Sequence, residues 1–576
     1  MATEAAPPTL DATGGPEPGG PEPGGAGGAE PGAPRGRGRI AGRLAAAAAL
    51  IAALTVLSRL AGFGRTLVFV WAVGDTDLGG IYTSANTIPN IIFEIVAGGA
   101  LASLVVPLLA GAVAHGDRAG AGSTTSALLT WVLALLVPAA VAVALAAEPI
   151  VRLLDSDATP ATVGVGVDML RVFAPQLPLY GVGIVLTGVL QSYRRFAWPV
   201  LAPLLSSVTV IGAYTAFAVV AGRQPELAQL GPGRVLILSA GTTLGVVVLS
   251  LCLVIPLRGL GLPLRPTLRF SADASRAVRR LALAGAATVG AQQLSLGLAI
   301  VLANAGPRGA VVLYTLAQAI YLLPWAVLAL PIAVSTYPAL AQCAARGDRA
   351  GFAATLAPAV RGLVLFSCLG GAALAALAPP LATVLAQLTH RPEITSGVAA
   401  GVAGFAPGLV GYALFALLSR ALYARSDTRL AAAVTVGGWG AVAAASVLFA
   451  AALPRADRVA ALALANSVGM LLLGAVLLVV VARRAGAAAL AGLARAGSAA
   501  IGGAVVATVA ALAVRQLSWP SAPPGIPAAV AQGMLCGVVV AVVFLAVAYP
   551  LDRRDVGPAL AALSHRVRGL ASGRRS

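Results

Sequence analysis

The run at residues 44–73 reads LAAAAALIAALTVLSRLAGFGRTLVFVWAV and contains only two charged side chains, Arg59 and Arg65. An α-helix rises about 1.5 Å per residue, so this run is longer than the roughly 30 Å hydrocarbon core of a bilayer. The run therefore predicts a membrane-spanning helix that is tilted or bent.

The composition of the whole chain extends this prediction. The chain has 576 residues, of which 59% are hydrophobic and 10% are charged, whereas a soluble protein has about 25% charged residues. This composition excludes a soluble globular enzyme and a disordered chain. The net charge is +18 and every basic residue is Arg. These arginines lie mainly in short segments between apolar runs, which favours a role in membrane topology over nucleic-acid binding.

We predict an all-α polytopic membrane protein with about fourteen transmembrane helices. Pro89, Pro324 and Pro331 lie inside apolar runs, where each removes a helix hydrogen bond and favours a kink. The thirteen runs that follow the first are 80–113, 123–147, 161–190, 199–221, 233–257, 278–304, 309–342, 354–377, 395–422, 429–452, 459–482, 499–516 and 526–548.

The arginines also predict the orientation of these spans. Connecting segments on the side of the N-terminus hold 27 of the 39 arginines, and those on the opposite side hold 8. Because basic residues accumulate on the cytoplasmic side, we expect both termini in the cytoplasm. Residues 1–38, rich in Pro and Gly, predict a disordered cytoplasmic arm, and residues 553–576 predict a basic cytoplasmic tail.

An internal repeat divides the spans into two sets. The motif PLLAG at 107–111 is followed by AHGDRAG at 114–120, and PALAQ at 338–342 is followed by ARGDRAG at 345–351. Six helices separate the copies, and an even number keeps both units in the same orientation. We therefore expect two parallel six-helix lobes, at 44–257 and 278–482, with two further C-terminal helices at 499–548.

Arg59 and Arg65 are the strongest candidates for contact with a transported molecule. A charge at the middle of a bilayer costs about 2.5–3.5 kcal/mol, so such residues usually face a cavity or a partner. Arg offers a planar set of donors that suits a phosphate. Gly62 and Gly64 allow bending or close packing between the two arginines. The alternative for Arg65 is that its side chain extends to the membrane interface.

Other polar residues inside apolar runs are weaker candidates. Glu94 could pair with Arg59 or Arg65, act as a protonatable group, or form a structural ion pair. Asn86 and Asn90 lie on one helix face, where hydrogen bonding between helices is the main alternative. Gln293 and Gln318, together with Gln292, could line the cavity from the second lobe or join helices. Asp168 and Arg171 predict a local ion pair.

The sequence contains no pattern for a cofactor or for catalysis. The four cysteines form no CxxC pair and the three histidines are scattered, so we expect no metal and no other cofactor. P-loop, GxSxG and HExxH motifs are absent. We therefore expect that the protein is not an enzyme.

Several of these stretches resemble the MurJ/MviN family of lipid II flippases, within the multidrug/oligosaccharidyl-lipid/polysaccharide exporter superfamily. The similarity runs from about residue 44 to residue 485 in the family's order. Its motifs are SRLAGFGR at 58–65, IPN at 88–90, GVLQSYRRF at 188–196, GTTLG at 241–245, Gln293 and YARSDTR at 423–429.

The resemblance implies a cationic cavity between two lobes that flips a lipid-linked peptidoglycan precursor by alternating access. It implies that Arg59 and Arg65 hold the diphosphate, and that the last two helices form a groove for the lipid. This chain differs from the family at several charged positions. Thr66 and Gly80 replace aspartates, Phe93-Glu94 replaces a basic pair, Gly98 replaces a glutamate, and Gln318-Ala319 replaces an Asp-Arg pair.

Together, the pattern of apolar helices, the repeat, the two arginines and the family resemblance predict a flippase of a polyprenyl-diphosphate-linked peptidoglycan precursor in the cytoplasmic membrane. We expect contacts with membrane lipids and with cell-wall synthesis proteins, and none with nucleic acid. One alternative is an exporter of another lipid-linked glycan or a small amphiphile on the same fold. The other is a membrane scaffold without transport activity.

Overall fold

A computed structural model describes residues 35–96, 105–268, 272–392, 394–518 and 525–557. The chain divides into two units, Met1–Ala52 and Ala53–Ser576. In the first unit residues 35–52 are helical, and the cavities and ion pairs described below lie in the second unit. The predicted arm lies outside the described residues up to residue 34, and so does the predicted tail from residue 558.

The described residues of the first half form ten α-helices, because their apolar runs are long enough for a helix to propagate. A helix begins at Arg35 rather than near residue 44. The described parts of the run at 80–113 include residues of two α-helices, and residues 97–104, which include Gly98, lie outside the described part. The helices are α1 (Arg35–Ala72), α2 (Asp77–Phe93), α3 (Val105–Ala114), α4 (Arg118–Leu145), α5 (Ala147–Leu154), α6 (Pro160–Phe173), α7 (Gln176–Ser192), α8 (Ala197–Ala221), α9 (Pro232–Leu251) and α10 (Val254–Arg258).

The second half begins with α11 and ends with the two C-terminal helices. The run expected at 354–377 is longer than predicted, because its helix continues through Pro379 and Pro380 to Thr389. The helices are α11 (Ala272–Asn304), α12 (Ala310–Pro324), α13 (Leu330–Ala345), α14 (Arg349–Thr389), α15 (Ile394–Phe405), α16 (Gly408–Ala424), α17 (Thr428–Ala452), α18 (Arg458–Ala485), α19 (Leu493–Ser518) and α20 (Ile526–Leu551).

The membrane-protein class is confirmed. Within the described residues twelve helical segments are long and apolar enough to cross a bilayer, or thirteen if the bent pair α15 and α16 is one span. The prolines act as predicted at one place: α12 ends at Pro324, and Trp325–Ala329 form a π-helical turn before α13. At Pro89, by contrast, α2 continues to Phe93, and Pro331 lies in the first turn of α13.

Buried apolar side chains show how the two halves meet. One large cluster contains residues of both halves, including Phe69, Tyr82, Tyr314 and Phe405. It lies around the loop that joins α1 to α2. A second cluster belongs to the second half and α19–α20, and a third belongs to the first half alone. The halves therefore share a core at one end and separate at the other, which leaves room for a cavity between them.

The two copies of the repeated motif adopt the same local structure. Asp117 and Asp348 cap the N-termini of α4 and α14, and their carboxylates accept hydrogen bonds from the backbone N–H of Gly120 and Gly351 at 2.8 and 2.7 Å. The glycine before each aspartate has a positive φ, 67° at Gly116 and 69° at Gly347. This conformation is favourable for glycine and strained for other residues.

Candidate functional site

A cavity of about 790 Å³ lies between the halves. Its walls come from α1, α2, α7, α8 and α9 of the first half and from α12 of the second half. We call it the first cavity. Apart from two arginines and two asparagines, its polar groups are hydroxyls: Thr55, Ser58, Thr66, Tyr82, Thr83, Thr87, Tyr180, Ser206, Ser207, Tyr214, Thr242 and Thr315.

Arg59 and Arg65 both line the first cavity from α1. Both side chains are exposed, and among the described residues neither has a hydrogen bond or an ion pair to the protein. No carboxylate is among the described residues that line this cavity. The first cavity therefore presents two free cations and many hydroxyl groups, which together suit an anionic ligand rich in oxygen acceptors.

The glycines between the arginines do not pack closely. A Cβ atom at Gly62 or Gly64 would meet no heavy atom within 4 Å. Of the two roles expected for these glycines, bending or close packing, the structure does not show close packing. Gly62 instead lines the first cavity, where the absence of a side chain widens the space beside Arg59 and Arg65.

One end of the first cavity is closed by buried aromatic side chains. The hydroxyl of Tyr82 on α2 lies 2.6 Å from the hydroxyl of Tyr214 and 2.8 Å from that of Thr242. The ring of Phe69 packs against both tyrosine rings, at centroid distances of 4.8 and 5.4 Å. This network joins α1, α2, α8 and α9 and gives the cavity a fixed, polar end.

Asn86 and Asn90 also line the first cavity, as their shared helix face predicts. The side-chain amide of Asn90 donates to the backbone carbonyl of Asn86 at 2.7 Å, so this bond stays within α2 rather than joining two helices. The Oδ1 atom of Asn86 is buried and has no hydrogen-bond partner in the described part of the chain. It is available to accept a hydrogen bond from a ligand.

Beyond the closed end, ion pairs connect the two halves. Arg308, between α11 and α12, donates to both carboxylate oxygens of Asp77 at 2.6 and 2.7 Å. Arg391, between α14 and α15, lies 2.8 Å from Asp75. Asp75 is buried, whereas the Asp77–Arg308 pair is about half exposed. These contacts hold the α1–α2 loop against the second half and keep this end shut.

A small pocket of about 180 Å³ lies beside these ion pairs and includes Asp77, Asp155 and Asp157. Burial raises the pKa of the Asp155 carboxyl above its ordinary value. A hydrogen bond with the backbone of Asp157 acts in the opposite direction, and the charges of Asp157 and Asp77 add to the rise. Within the described residues no group of His, Cys, Asp and Glu has an arrangement that could hold a metal ion.

The structure does not bring all the predicted residues together. Glu94 is exposed, lines neither this cavity nor the small pocket, and forms no ion pair with Arg59 or Arg65 in the described structure. Gln293 is buried in α11 away from the first cavity. Gln318 and Gln292 line a different cavity, inside the second half. The Asp168–Arg171 pair is present at 4.0 Å on an exposed face.

The tyrosines and the hydroxyl residues of α8 and α9 were not predicted to line the cavity. Tyr82, Tyr180 and Tyr214 lie inside apolar runs, where a tyrosine is usually read as a core residue. Serine and threonine inside an apolar run do not indicate a site either, because their hydroxyls usually bond to the preceding turn of their own helix. Ser207, for example, donates to the carbonyl of Pro203 at 2.8 Å. Only their convergence in three dimensions identifies them.

Comparisons with known proteins agree on one family. The sequence model of the family "Lipid II flippase MurJ" matches residues 69–527. The lipid II flippase MurJ of Burkholderia cenocepacia is 26% identical over 409 residues, covering 67% of this chain and 74% of that protein. A probable lipid II flippase MurJ of Rhizobium meliloti is 28% identical over 392 residues, which cover 66% of this chain and 70% of that protein.

Solved structures show the same fold. A lipid II flippase MurJ in an inward closed conformation superposes with a TM-score of 0.68 at 16% identity, covering 88% of this chain and all of that one. An inward-facing multidrug resistance transporter of the MATE family superposes with a TM-score of 0.58 at 14% identity. The superposition covers 76% of this chain and 94% of the transporter. Arg59 and Arg65 precede the residues that the family model matches, so their assignment depends on the geometry of the first cavity.

Proposed function

This chain belongs to the MurJ family of lipid II flippases, and from this premise we propose that it moves a polyprenyl-diphosphate-linked peptidoglycan precursor across the membrane. The observation that carries the proposal is the first cavity, where two arginines with no protein partner among the described residues face a space without a carboxylate. In this family setting the anion that such a cavity suits is the diphosphate of the lipid carrier.

The position of Arg59 on α1 supports a lipid-linked substrate. Val56, Leu57 and Leu60, which surround it in sequence, are at least half exposed. In a membrane protein such side chains face lipid or an apolar ligand. A substrate could therefore place its diphosphate at Arg59 and Arg65 while its prenyl chain stays along the apolar surface of α1. A hydrogen bond between charged groups contributes about 1.5–3 kcal/mol, so the two arginines can decide affinity.

The arrangement of the halves supports alternating access. They share a buried core and the Asp75–Arg391 and Asp77–Arg308 ion pairs at one end, and have separate cores at the other. Rocking of two parallel lobes about a central site is a common transport mechanism. We propose that transport requires these ion pairs to break, so that the closed end opens and the separated ends approach each other.

The proposal places the protein in the cytoplasmic membrane with both termini in the cytoplasm. In this orientation the closed end faces outward and the capped ends of α4 and α14 face the cytoplasm. The protein acts as a transporter and not as an enzyme, and cell-wall synthesis proteins are its expected partners. Family membership favours this function over export of an unrelated amphiphile and over a scaffold without transport.

The test is complementation of bacteria depleted of their own lipid II flippase, with lipid II on the outer face as the readout. The wild-type chain should restore exposure of lipid II. Arg59→Ala combined with Arg65→Ala should reduce it more than tenfold, because both phosphate donors are lost. Arg171→Ala is the matched control, since this exposed arginine lies on α6 in a pair with Asp168.

Two results would contradict the proposal. One is failure of the wild-type chain to restore lipid II exposure when its insertion in the membrane has been verified. The other is full activity of the double variant in cells where the control variant behaves like the wild type.

A further inference from the structure

A second cavity, of about 200 Å³, lies inside the second half of the molecule. Helix α12 separates it from the first cavity. Thr315, Ala319 and Leu323 of this helix line the first cavity, whereas Tyr314, Gln318 and Tyr321 line the second. Leu322 lines both. The two spaces are thus neighbours on opposite sides of one helix, with one leucine side chain common to both.

Three buried polar groups at the second cavity have no hydrogen-bond partner within the described residues. They are the hydroxyl of Tyr321, the indole N–H of Trp439 and the Oδ1 atom of Asn466. All three residues line the cavity and are more than nine-tenths buried. Buried polar groups in native proteins are normally hydrogen-bonded, because leaving them unpaired is unfavourable. These groups supply a donor, an acceptor and a hydroxyl that can be either.

The rest of the lining determines what kind of ligand fits. None of the described residues that line the second cavity is charged, so an ionic ligand would find no counter-charge. Tyr321, Tyr412 and Trp439 offer flat apolar faces, and Gln292, Gln318 and Asn466 offer planar amides that both donate and accept. A sugar ring has apolar faces bearing C–H groups and a rim of neutral hydroxyls, so it complements both kinds of side chain.

The volume limits the size of the ligand. A space of about 200 Å³ holds roughly six water molecules at about 30 Å³ each. It is also smaller than the roughly 300–1,000 Å³ of a pocket for a drug-sized molecule. One sugar ring is therefore the appropriate size, and a disaccharide with its peptide is not.

We propose that the second cavity binds one uncharged sugar ring, the part of the substrate that the cationic first cavity does not recognise. The inference rests on the proposed function, since it concerns the same lipid-linked substrate. The sugar enters past Leu322, at the end of α12 where the helix is irregular. Pro324 removes a backbone donor there and a π-helical turn follows, which lowers the resistance of this segment to movement.

The test measures binding of N-acetylglucosamine to the purified full-length protein in lipid nanodiscs by saturation-transfer NMR. The wild type should give a saturable signal. Trp439→Phe keeps an aromatic ring and removes the N–H, and Tyr321→Phe removes only the hydroxyl. Each should weaken binding about fivefold, the effect of losing one neutral hydrogen bond. The Asp168→Asn variant, altered in an exposed pair of α6 that lines neither cavity, should bind like the wild type.

A second probe tests whether hydroxyl recognition is responsible. 2-(Hydroxymethyl)tetrahydropyran has a sugar-like ring with a single hydroxyl, and it should bind far more weakly. The proposal is overturned if the wild type gives no saturable signal, if both Phe variants bind the sugar unchanged, or if the two probes bind equally well.

The outcomes separate this inference from the proposed function. Loss of lipid II exposure in the Arg59→Ala, Arg65→Ala variant tests the flippase and does not involve the second cavity. If that loss occurs and the sugar does not bind, the flippase stands and the sugar site is wrong. If the sugar binds as expected and the wild-type chain fails to restore lipid II exposure, the site stands and its assigned substrate is wrong.

Discussion

The two halves of this molecule share a backbone motif and differ in the chemistry of their cavities. The Gly-Asp-Arg motif caps α4 in the first half and α14 in the second with nearly equal hydrogen bonds, 2.8 and 2.7 Å. The cavity lined mainly by the first half contains Arg59 and Arg65. The cavity inside the second half is lined by tyrosine, tryptophan and amide side chains.

A pair of corresponding tyrosines shows where the halves diverge. Tyr82 in α2 and Tyr314 in α12 are 232 residues apart, close to the 231 residues between the two copies of the motif at 107 and 338. Both tyrosines are buried. The hydroxyl of Tyr82 is held by Tyr214 and Thr242. Tyr314 packs on Phe405 at a centroid distance of 5.6 Å and faces the second cavity. Loop geometry and helix caps are thus equal in the two halves, whereas the side chains that face a ligand are specific to each half.

We expect the largest effect from removing the two ion pairs that join the halves. Asp75→Asn combined with Arg308→Ala removes one charge from each ion pair that holds the closed end. We expect a cysteine introduced at the buried Ser84 to react at least tenfold faster with a membrane-impermeant maleimide, in a chain without its four native cysteines. Asp75→Asn alone should have more effect than Asp77→Asn, because the Asp75 pair is more buried.

The control for this experiment is Asp168→Asn, which weakens an exposed pair within one helix and should leave the labelling rate unchanged. Labelling of Ser84→Cys that is equally slow with and without the ion pairs would show that they do not hold the two halves together.

In the second half an anchor of two ion pairs, Arg361–Asp555 and Arg495–Asp552, holds the segment after α20 against α14 and α19. Arg361 of α14 donates to Asp555 at 2.7 Å, and Arg495 lies 2.9 Å from Asp552. Burial alone raises the pKa of the Asp555 carboxyl. The hydrogen bond from Arg361 and the charges of Arg361 and Arg495 outweigh burial, so the pKa is lowered overall. In the neighbouring Asp552, burial and Asp555 raise the pKa.

Because the pKa is lowered on folding, ionised Asp555 stabilises the folded state. This stabilisation is fully present at pH values above the pKa of an aspartate in the unfolded chain, about 3.9. This stability is lost as the pH falls through the folded pKa. We expect Asp555→Asn to destabilise α19 and α20 by about 1–3 kcal/mol at pH 7, with the difference from wild type narrowing below about pH 4. The measurement is alkylation of the buried Cys536 thiol during denaturant unfolding at pH 7. A second series of thermal unfolding scans covers the lower pH values.

Glu148→Gln serves as the control for the anchor, since the Arg152–Glu148 pair is exposed and should contribute less than about 1 kcal/mol. An Asp555→Asn variant that unfolds like this control at pH 7, or whose deficit grows in acid, would refute the assigned role of the anchor.

We expect the smallest effect from disturbing the caps of α4 and α14, and the loss of stability should be equal in the two halves. A Cβ atom at Gly120 or Gly351 would overlap the carboxylate of the aspartate that caps the same helix. Gly120→Ala and Gly351→Ala should each destabilise the protein by about 0.5–2 kcal/mol, the usual contribution of an N-cap. Gly362→Ala in α14 should be neutral or stabilising, because nothing lies within 4 Å of a Cβ there. Thermal unfolding of the three variants measures these effects, and unequal losses at Gly120 and Gly351 would break the equivalence.

The sequence alone determined the membrane class and most of the spans. It also identified the two arginines of α1 as residues that face a cavity. In a bilayer, a long apolar run satisfies its backbone hydrogen bonds within itself only by forming a helix. A charge in such a run is costly, and this cost distinguishes Arg59 and Arg65 from the other residues of the run. The repeated Gly-Asp-Arg motif was also visible in the sequence as a repeat, whereas its capping of α4 and α14 was found in the structure.

Only the tertiary structure decided which polar residue faces which space. Gln318 and Ala319 are adjacent in α12, yet the first lines the second cavity and the second lines the first. Glu94 and Gln293 looked equivalent to Asn90 in sequence and line neither cavity. A helix that is apolar all round has no polar stripe to orient it. Its rotation is set by packing against neighbouring helices, and that information is spread over the whole chain.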